Sequence, residues 1–250
     1  MKIQFCSDLH LEFYRNRKWI NDNPLIPVGD ILIVAGDTDY LGDGFGNKDF
    51  FKRISDDFEQ SYIIPGNHEY YNGFDVSTAL EKTNNKILDN VTLINNDTTE
   101  HNDVKLIFST MWSLIEKHIH EVTQRITDFH RIKYKGSTIS VDEFNELHEK
   151  SFDFIKTEAV KEGKKIVITH HLPSEFCNAE EFKNSTYNEA FCIDKTEFIE
   201  KSNIDYWIYG HSHRNMNDIE LKGTNLVTNQ MGYVAFDEHI TFKRDRIISI

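Results

Sequence analysis

Five short stretches of the chain carry side chains able to hold a cation or move a proton. They are Asp8-Leu-His10, Gly36-Asp37-Thr-Asp39, Gly66-Asn67-His68-Glu69, His170-His171 and Gly210-His211-Ser-His213. The sequence has 12 histidines, and His10, His68, His170, His171, His211 and His213 all fall in these stretches. Carboxylate and amide oxygens beside neutral imidazole nitrogens make a mixed donor set suited to Mn, Fe, Zn, Co or Ni, unlike a soft thiolate cage. Each stretch alone is ordinary: Gly-Asp after an apolar run is usually a turn, and neighbouring histidines occur on surface loops. The set is unusual because of what precedes each member.

Every stretch follows a short apolar, β-branched run. Residues 3–6, 31–35, 62–64, 91–94, 105–109, 165–169, 206–209 and 226–228 read as strands, several without alternation, as expected when both faces of a sheet are covered. Helical spacing falls between them, over 49–58 and 76–88, which gives an α/β layout. In open α/β sheets the carboxyl ends of the strands converge on one crevice. Successive side chains of a strand point to opposite faces, so both members of Asp8-x-His10 and His211-x-His213 can face one ion only where the strand has become a loop. Gly36, Gly66 and Gly210 suit such bends and close backbone approaches.

The 112–162 segment reads differently. It shows no convincing strand, and helical spacing runs through Ile115, Ile119 and Val122. After a break at Lys135-Gly136, Ser140-Val-Asp-Glu143 forms a capping box. Phe144, Leu147, Phe152, Ile155 and Ala159 then mark the apolar face of a second helix. The expectation is a helical insertion beside the sheet.

At 250 residues and 39% hydrophobic content the chain can bury a sizeable core. No apolar run approaches the ~20 residues of a membrane span, and the start, MKIQFCSDLH, turns polar too soon for a signal peptide. Cys6, Cys177 and Cys192 show no metal-type spacing and read as reduced thiols, so a cytoplasmic location is expected. The formal net charge of −13 disfavours nucleic-acid binding. The short basic cluster at 15–18 reads as a solvated loop.

Taken in order, the five stretches resemble the pattern of the calcineurin-like metallophosphoesterase superfamily: Asp-x-His, Gly-Asp, Gly-Asn-His-Glu or Asp, a histidine after a strand, then Gly-His-x-His. The likeness runs from the first strand to beyond residue 213. Asn229-Gln-Met-Gly-Tyr233 is similar to an Asn-x-x-Gly-Tyr ending of some members. The resemblance implies one α/β domain over residues 1–250, with a four-layer core of two facing β-sheets flanked by helices and a helical insertion at about 112–162.

Carried over residue by residue, the resemblance implies two divalent metal ions, manganese foremost. Asp8, His10 and His213 would hold one, Asn67, His170 and His211 the other, and Asp37 would bridge them. The family has one ligand histidine in the fourth block where this chain has two; His170, directly after the apolar run, is better placed than His171. His68 would stand near the scissile phosphate without binding metal. A hydroxide between two ions ~3.5–4 Å apart would attack phosphorus in line, with His68 aiding the leaving oxygen. Glu69 and Asp39 are candidates to orient ligating imidazoles, and Arg214 to touch the phosphate. In the Ser/Thr phosphatase branch an Asp further along the Gly-Asp motif supports the catalytic histidine; Asp39 lies at a different spacing and is not given that role.

The implied function is hydrolysis of phosphomonoesters or phosphodiesters. The implied partner is a small phosphorylated substrate, a nucleotide or a phosphodiester; the acidic charge weighs against nucleic acid, and no membrane partner is expected. A nuclease with the same site and a catalytically silent scaffold of the same fold are the competing readings.

Overall fold

Alternation along the first strand, β1 (Lys2–Cys6), sets the layering. Ile3 and Phe5 enter one apolar cluster and Cys6 enters another, because successive strand side chains leave opposite faces. The computed structural model describes residues 1–42 and 44–250.

The other strands are β2 (Ile31–Ala35), β3 (Gln60–Ile64), β4 (Thr83–Leu88), β5 (Val91–Asn95), β6 (Asp97–His101), β7 (Val104–Phe108), β8 (Lys133–Tyr134), β9 (Ser137–Thr138), β10 (Lys164–Ile168), β11 (Tyr206–Tyr209), β12 (Ile219–Leu221), β13 (Thr224–Thr228) and β14 (Ile247–Ser249). Among the described residues they form two six-stranded sheets, β14-β1-β2-β3-β5-β4 and β12-β13-β11-β10-β7-β6, and a small β8-β9 hairpin. Both large sheets are parallel at their centres and antiparallel at their edges.

One cluster joins Ile3, Phe5, Ile33 and Ile64 of the first sheet to Leu106, Phe108, Ile166 and Ile208 of the second, so the sheets face each other across it. The helices are α1 (Tyr14–Asp22), α2 (Asp49–Asp57), α3 (Ile119–Arg125), α4 (Asp128–Arg131), α5 (Val141–Ala159) and α6 (Thr196–Lys201). Phe50, Phe51 and Ile54 of α2 cover the outer face of the first sheet, while Ile155 of α5 and Ile199 of α6 cover that of the second. The result is the expected four-layer α/β architecture. No described helix is long and apolar enough to cross a membrane.

Each strand run read from the sequence is present, with ends shifted by a residue or two. The helix expected over 76–88 is not: a 3₁₀ turn at Val76–Leu80 leads into strand β4. Polar Asn84, Asn85 and Lys86 give β4 no strand-like alternation, and pairing with β5 at the sheet edge decides its form. In the 112–162 segment the capping box is in place, with Ser140 Oγ accepting from Glu143 N at 3.3 Å and Glu143 Oε2 accepting from Ser140 N at 2.8 Å. The helix before it starts only at Ile119, leaving Ile115 in irregular chain. The segment also contains a hairpin where no strand was expected. Lys135 and Gly136 turn it with φ of 48° and 84°, the left-handed pair that a tight two-residue hairpin needs. Asp75 fixes that turn, accepting from both backbone N–H groups at 2.9 and 2.8 Å.

Candidate metal centre

The strand ends deliver the five stretches to one place. Asp8 and His10 follow β1, Asp37 follows β2, Asn67 and His68 follow β3, His170 follows β10, and His211 and His213 follow β11. Non-glycine residues make most of the bends themselves: φ is 57° at Asp8, 48° at His10, 53° at Asp37, 78° at His211 and 53° at His213. Left-handed backbone at such residues costs of order 1–3 kcal/mol each and gathers at functional sites. Gly36 does turn with φ of 89°, whereas Gly66 has ordinary backbone and serves close approach. A Cβ on Gly66 would lie 2.2 Å from Asp37 Oδ1.

Among the described residues two donor groups share Asp37, with Asp8, His10, Asp37 and His213 in one and Asp37, His170 and His211 in the other, while His10, Glu12 and His68 make a third beside them. His10 Nδ1 lies 3.0 Å from Glu12 Oε1, and His213 Nδ1 lies 2.8 Å from Glu238 Oε2. These carboxylates assign the ring protons to Nδ1. The two Nε2 atoms then present lone pairs to each other at 2.9 Å. Asp37 Oδ2 stands 3.6 Å from the first and Asp8 Oδ1 3.5 Å from the second.

The second group repeats the pattern. His170 Nδ1 donates to the Ala35 carbonyl at 2.9 Å, leaving Nε2 3.3 Å from Asp37 Oδ1 and 3.2 Å from Asn67 Oδ1. His211 Nε2 is buried without any hydrogen-bond partner. Burial opposes charge on His170, yet the Asp37 and Asp8 carboxylates push its pKa up to about 10, so their field draws positive charge to Nε2, where a cation would take the proton's place. Burial likewise opposes charge on Asp37, but the surrounding histidines keep its carboxyl well below the usual range. Facing lone pairs, an orphaned imidazole nitrogen and buried carboxylates repel one another unless positive charge lies among them. The donor set therefore fits a pair of divalent cations.

His68 stands at the edge of this cage. Its Nδ1 lies 2.9 Å from Glu12 Oε1 and its Nε2 3.2 Å from the Tyr233 hydroxyl. His171 belongs to neither donor group; its ring packs against Trp112 and His211, and both ring nitrogens lack partners.

Three expectations are corrected. Glu69 orients no imidazole: its carboxylate accepts from the backbone N–H groups of Asp37, Thr38 and Gly66 at 3.1, 2.7 and 2.7 Å, tying two loops together. Asp39 pairs with Lys48 and with the backbone of Tyr40. Arg214 is held by Glu181 at 2.7 Å and Glu238 at 3.3 Å. Glu12, Glu238 and the Ala35 carbonyl orient the imidazoles instead, and the arginine lining the cleft is Arg125.

The cleft over the centre encloses about 260 Å³. Arg125, Ile126, Thr127 and Asp128 from the 112–162 segment form part of its wall, beside Phe191 and Tyr233. Asp128 also reaches the centre's scaffold, since its Oδ1 accepts from Asn67 Nδ2 at 2.9 Å. The Asn67 amide is thereby turned with its oxygen towards His170. A signal for Tyr233 existed in the Asn229–Tyr233 tail and one for Glu12 in its spacing two beyond His10; Glu238 and Asp128 had none.

Comparison with known proteins is consistent with this geometry. Residues 1–215 match the family model described as calcineurin-like phosphoesterase. An uncharacterized protein of Acanthamoeba polyphaga mimivirus, L509, is 31% identical over 263 residues, covering 92% of this chain and 91% of that protein. The crystal structure of a phosphopantetheinyl hydrolase from Mycobacterium tuberculosis superposes with a TM-score of 0.72 at 15% identity, covering 99% of this chain and 95% of the other. That likeness is one of fold.

Proposed function

We propose that this chain, which belongs to the calcineurin-like phosphoesterase family, hydrolyses a phosphoester bond of a small phosphorylated molecule with two divalent cations at the centre described above. The observation that carries this reading is the meeting of the His10 and His213 Nε2 atoms at 2.9 Å, both lone pairs turned inward. Asp8, His10 and His213 would hold one ion and Asn67, His170 and His211 the other, with Asp37 between them.

Such a pair, when bound, neutralises phosphate oxygens and activates the attacking water. The protein's own groups supply the rest. His68 would give the proton on Nε2 to the leaving oxygen. Glu12, accepting from Nδ1, keeps that ring in place and favours its protonated form before the transfer. Arg125 on the cleft wall would pair with a phosphate oxygen.

Mixed oxygen and nitrogen donors suit Mn, Fe, Zn, Co or Ni, and of these we take Mn²⁺ first, as the family resemblance implies. The net charge of −13 and the cleft of about 260 Å³ favour a small substrate over nucleic acid. Three buried free cysteines accord with a reducing cytosol, where we place the enzyme.

The test pairs metal analysis with turnover of p-nitrophenyl phosphate and bis(p-nitrophenyl) phosphate across these ions. Two bound ions per chain and metal-dependent release of nitrophenol are expected, and the ratio of the two rates decides between monoester and diester. A protein that binds no divalent ion and cleaves neither compound would overturn the reading.

A further inference from the structure

A second cavity, also about 260 Å³, adjoins the cleft and shares Ile126, Phe191 and Ser212 with it. We infer that this cavity receives an aromatic arm of the phosphoester substrate, an inference that rests on the hydrolase reading above.

Its remaining wall includes Phe182 and Tyr187, so three aromatic side chains border it. The wall it presents is almost all carbon, and several of the polar side chains nearby bond to one another or to the backbone. Asn178 Nδ2 donates to Asn188 Oδ1 at 2.6 Å, Ser185 Oγ accepts from Tyr187 N at 3.2 Å, and Ser212 Oγ pairs with the Gln230 side chain at 3.2 Å. A sugar or a second phosphate would therefore lose hydration there for few new hydrogen bonds. A flat apolar ring gives up little and gains contact with the aromatic wall. A dry cavity of roughly 150 Å³ already admits benzene, so the space suits one or two fused rings.

The position fixes which molecule the ring belongs to. Phe191 stacks on His211 with ring centroids 4.8 Å apart and an interplanar angle of 27°, so it separates the cavity from the metal centre by one side chain. Ile126 directly follows Arg125 at the end of α3. An ester whose phosphorus lies at the centre can pass one arm between Ile126 and Phe191 into the cavity.

The test compares phenylphosphonate with methylphosphonate as competitive inhibitors of the Mn²⁺-loaded protein, with calorimetric binding as a second readout. The anionic heads match and only the arm differs. Phenylphosphonate should bind at least about tenfold more tightly, as expected for burying one aromatic ring. Phe182→Ala, which opens the wall, and Ser185→Phe, which fills the space, should each abolish most of that preference and leave methylphosphonate binding unchanged. Equal binding of the two by the parent protein, or a preference that survives both substitutions, would overturn the cavity's role while nitrophenyl ester hydrolysis leaves the hydrolase reading standing. If neither phosphonate binds and no ester is cleaved, both fall together.

Discussion

The Asp128 carboxylate accepts a hydrogen bond from the side-chain amide of Asn67 at 2.9 Å, although 61 positions separate them in the chain. The Tyr71 hydroxyl donates to the same carboxylate oxygen and itself lies 3.0 Å from Asn67 Nδ2. Asp128 is 1% exposed, so the 112–162 segment does more than cover the cleft: it turns an amide oxygen towards the centre. Asp128→Ala should leave that amide held by Tyr71 alone, lowering affinity for one of the two ions by about 10–100-fold, as for other partners of metal ligands. Metal content after dialysis checks this, with about one ion retained where the parent keeps two.

Glu12 bridges His10 and His68, and this separates two kinds of variant. His68→Ala should keep both ions and lose rate by about 10²–10⁴-fold, the usual contribution of a positioned proton donor. Glu12→Gln should lower metal affinity and rate together, because a neutral amide supports both Nδ1 protons less well. Metal titration alongside kcat distinguishes them. A parent-like kcat in His68→Ala would remove His68 from the reaction.

The five stretches that meet at the centre were legible because short apolar runs announce the strand ends and the residue types announce the chemistry. The roles of Asp8, Asp37, Asn67 and His211 followed from the family resemblance, whereas the fold was needed to set His170 rather than His171 beside Asp37. Glu12, Glu238 and Asp128 needed the fold as well. A carboxylate looks alike whether it meets water or an imidazole, and only the fold brings Glu238 within 2.8 Å of His213. Much the same holds for β4 and β6, polar edge strands recognisable only through their partners β5 and β7. The apolar runs of the central strands carried the α/β layout and the family resemblance its four layers, while left-handed backbone at His10 and His213 left no mark in the sequence.

Removing the ions should destabilise the fold measurably. Cations that bind only the native state stabilise it by RT ln(1 + [L]/Kd), about 2.7 kcal/mol at a hundredfold excess over Kd. For a chain of this length that corresponds to roughly 5–10 °C in Tm. Scanning calorimetry with and without a chelator should show this shift. In Asp37→Ala, which removes the shared carboxylate, the two melting temperatures should nearly coincide. A chelator-sensitive Tm in that variant would contradict Asp37 as the common ligand.

His148 offers a pH signature outside the centre. It lies on α5 at 3% exposure, with Nδ1 against the Trp112 carbonyl. Burial lowers its pKa from 6.5 to about 4, the Trp112 carbonyl opposing only in part. Above pH 6.5 both the folded and the unfolded chain carry this histidine neutral, so it adds no pH dependence there. As pH falls from about 6.5 towards 4 the unfolded chain takes up a proton that the folded chain refuses. Stability is therefore lost across that window and levels off below it, by roughly 3 kcal/mol in all. His148→Gln keeps a donor for Trp112 but cannot titrate. Urea midpoints measured at steps between pH 7 and 4 should fall less steeply in the variant, and identical slopes would show that His148 takes up its proton equally in both states.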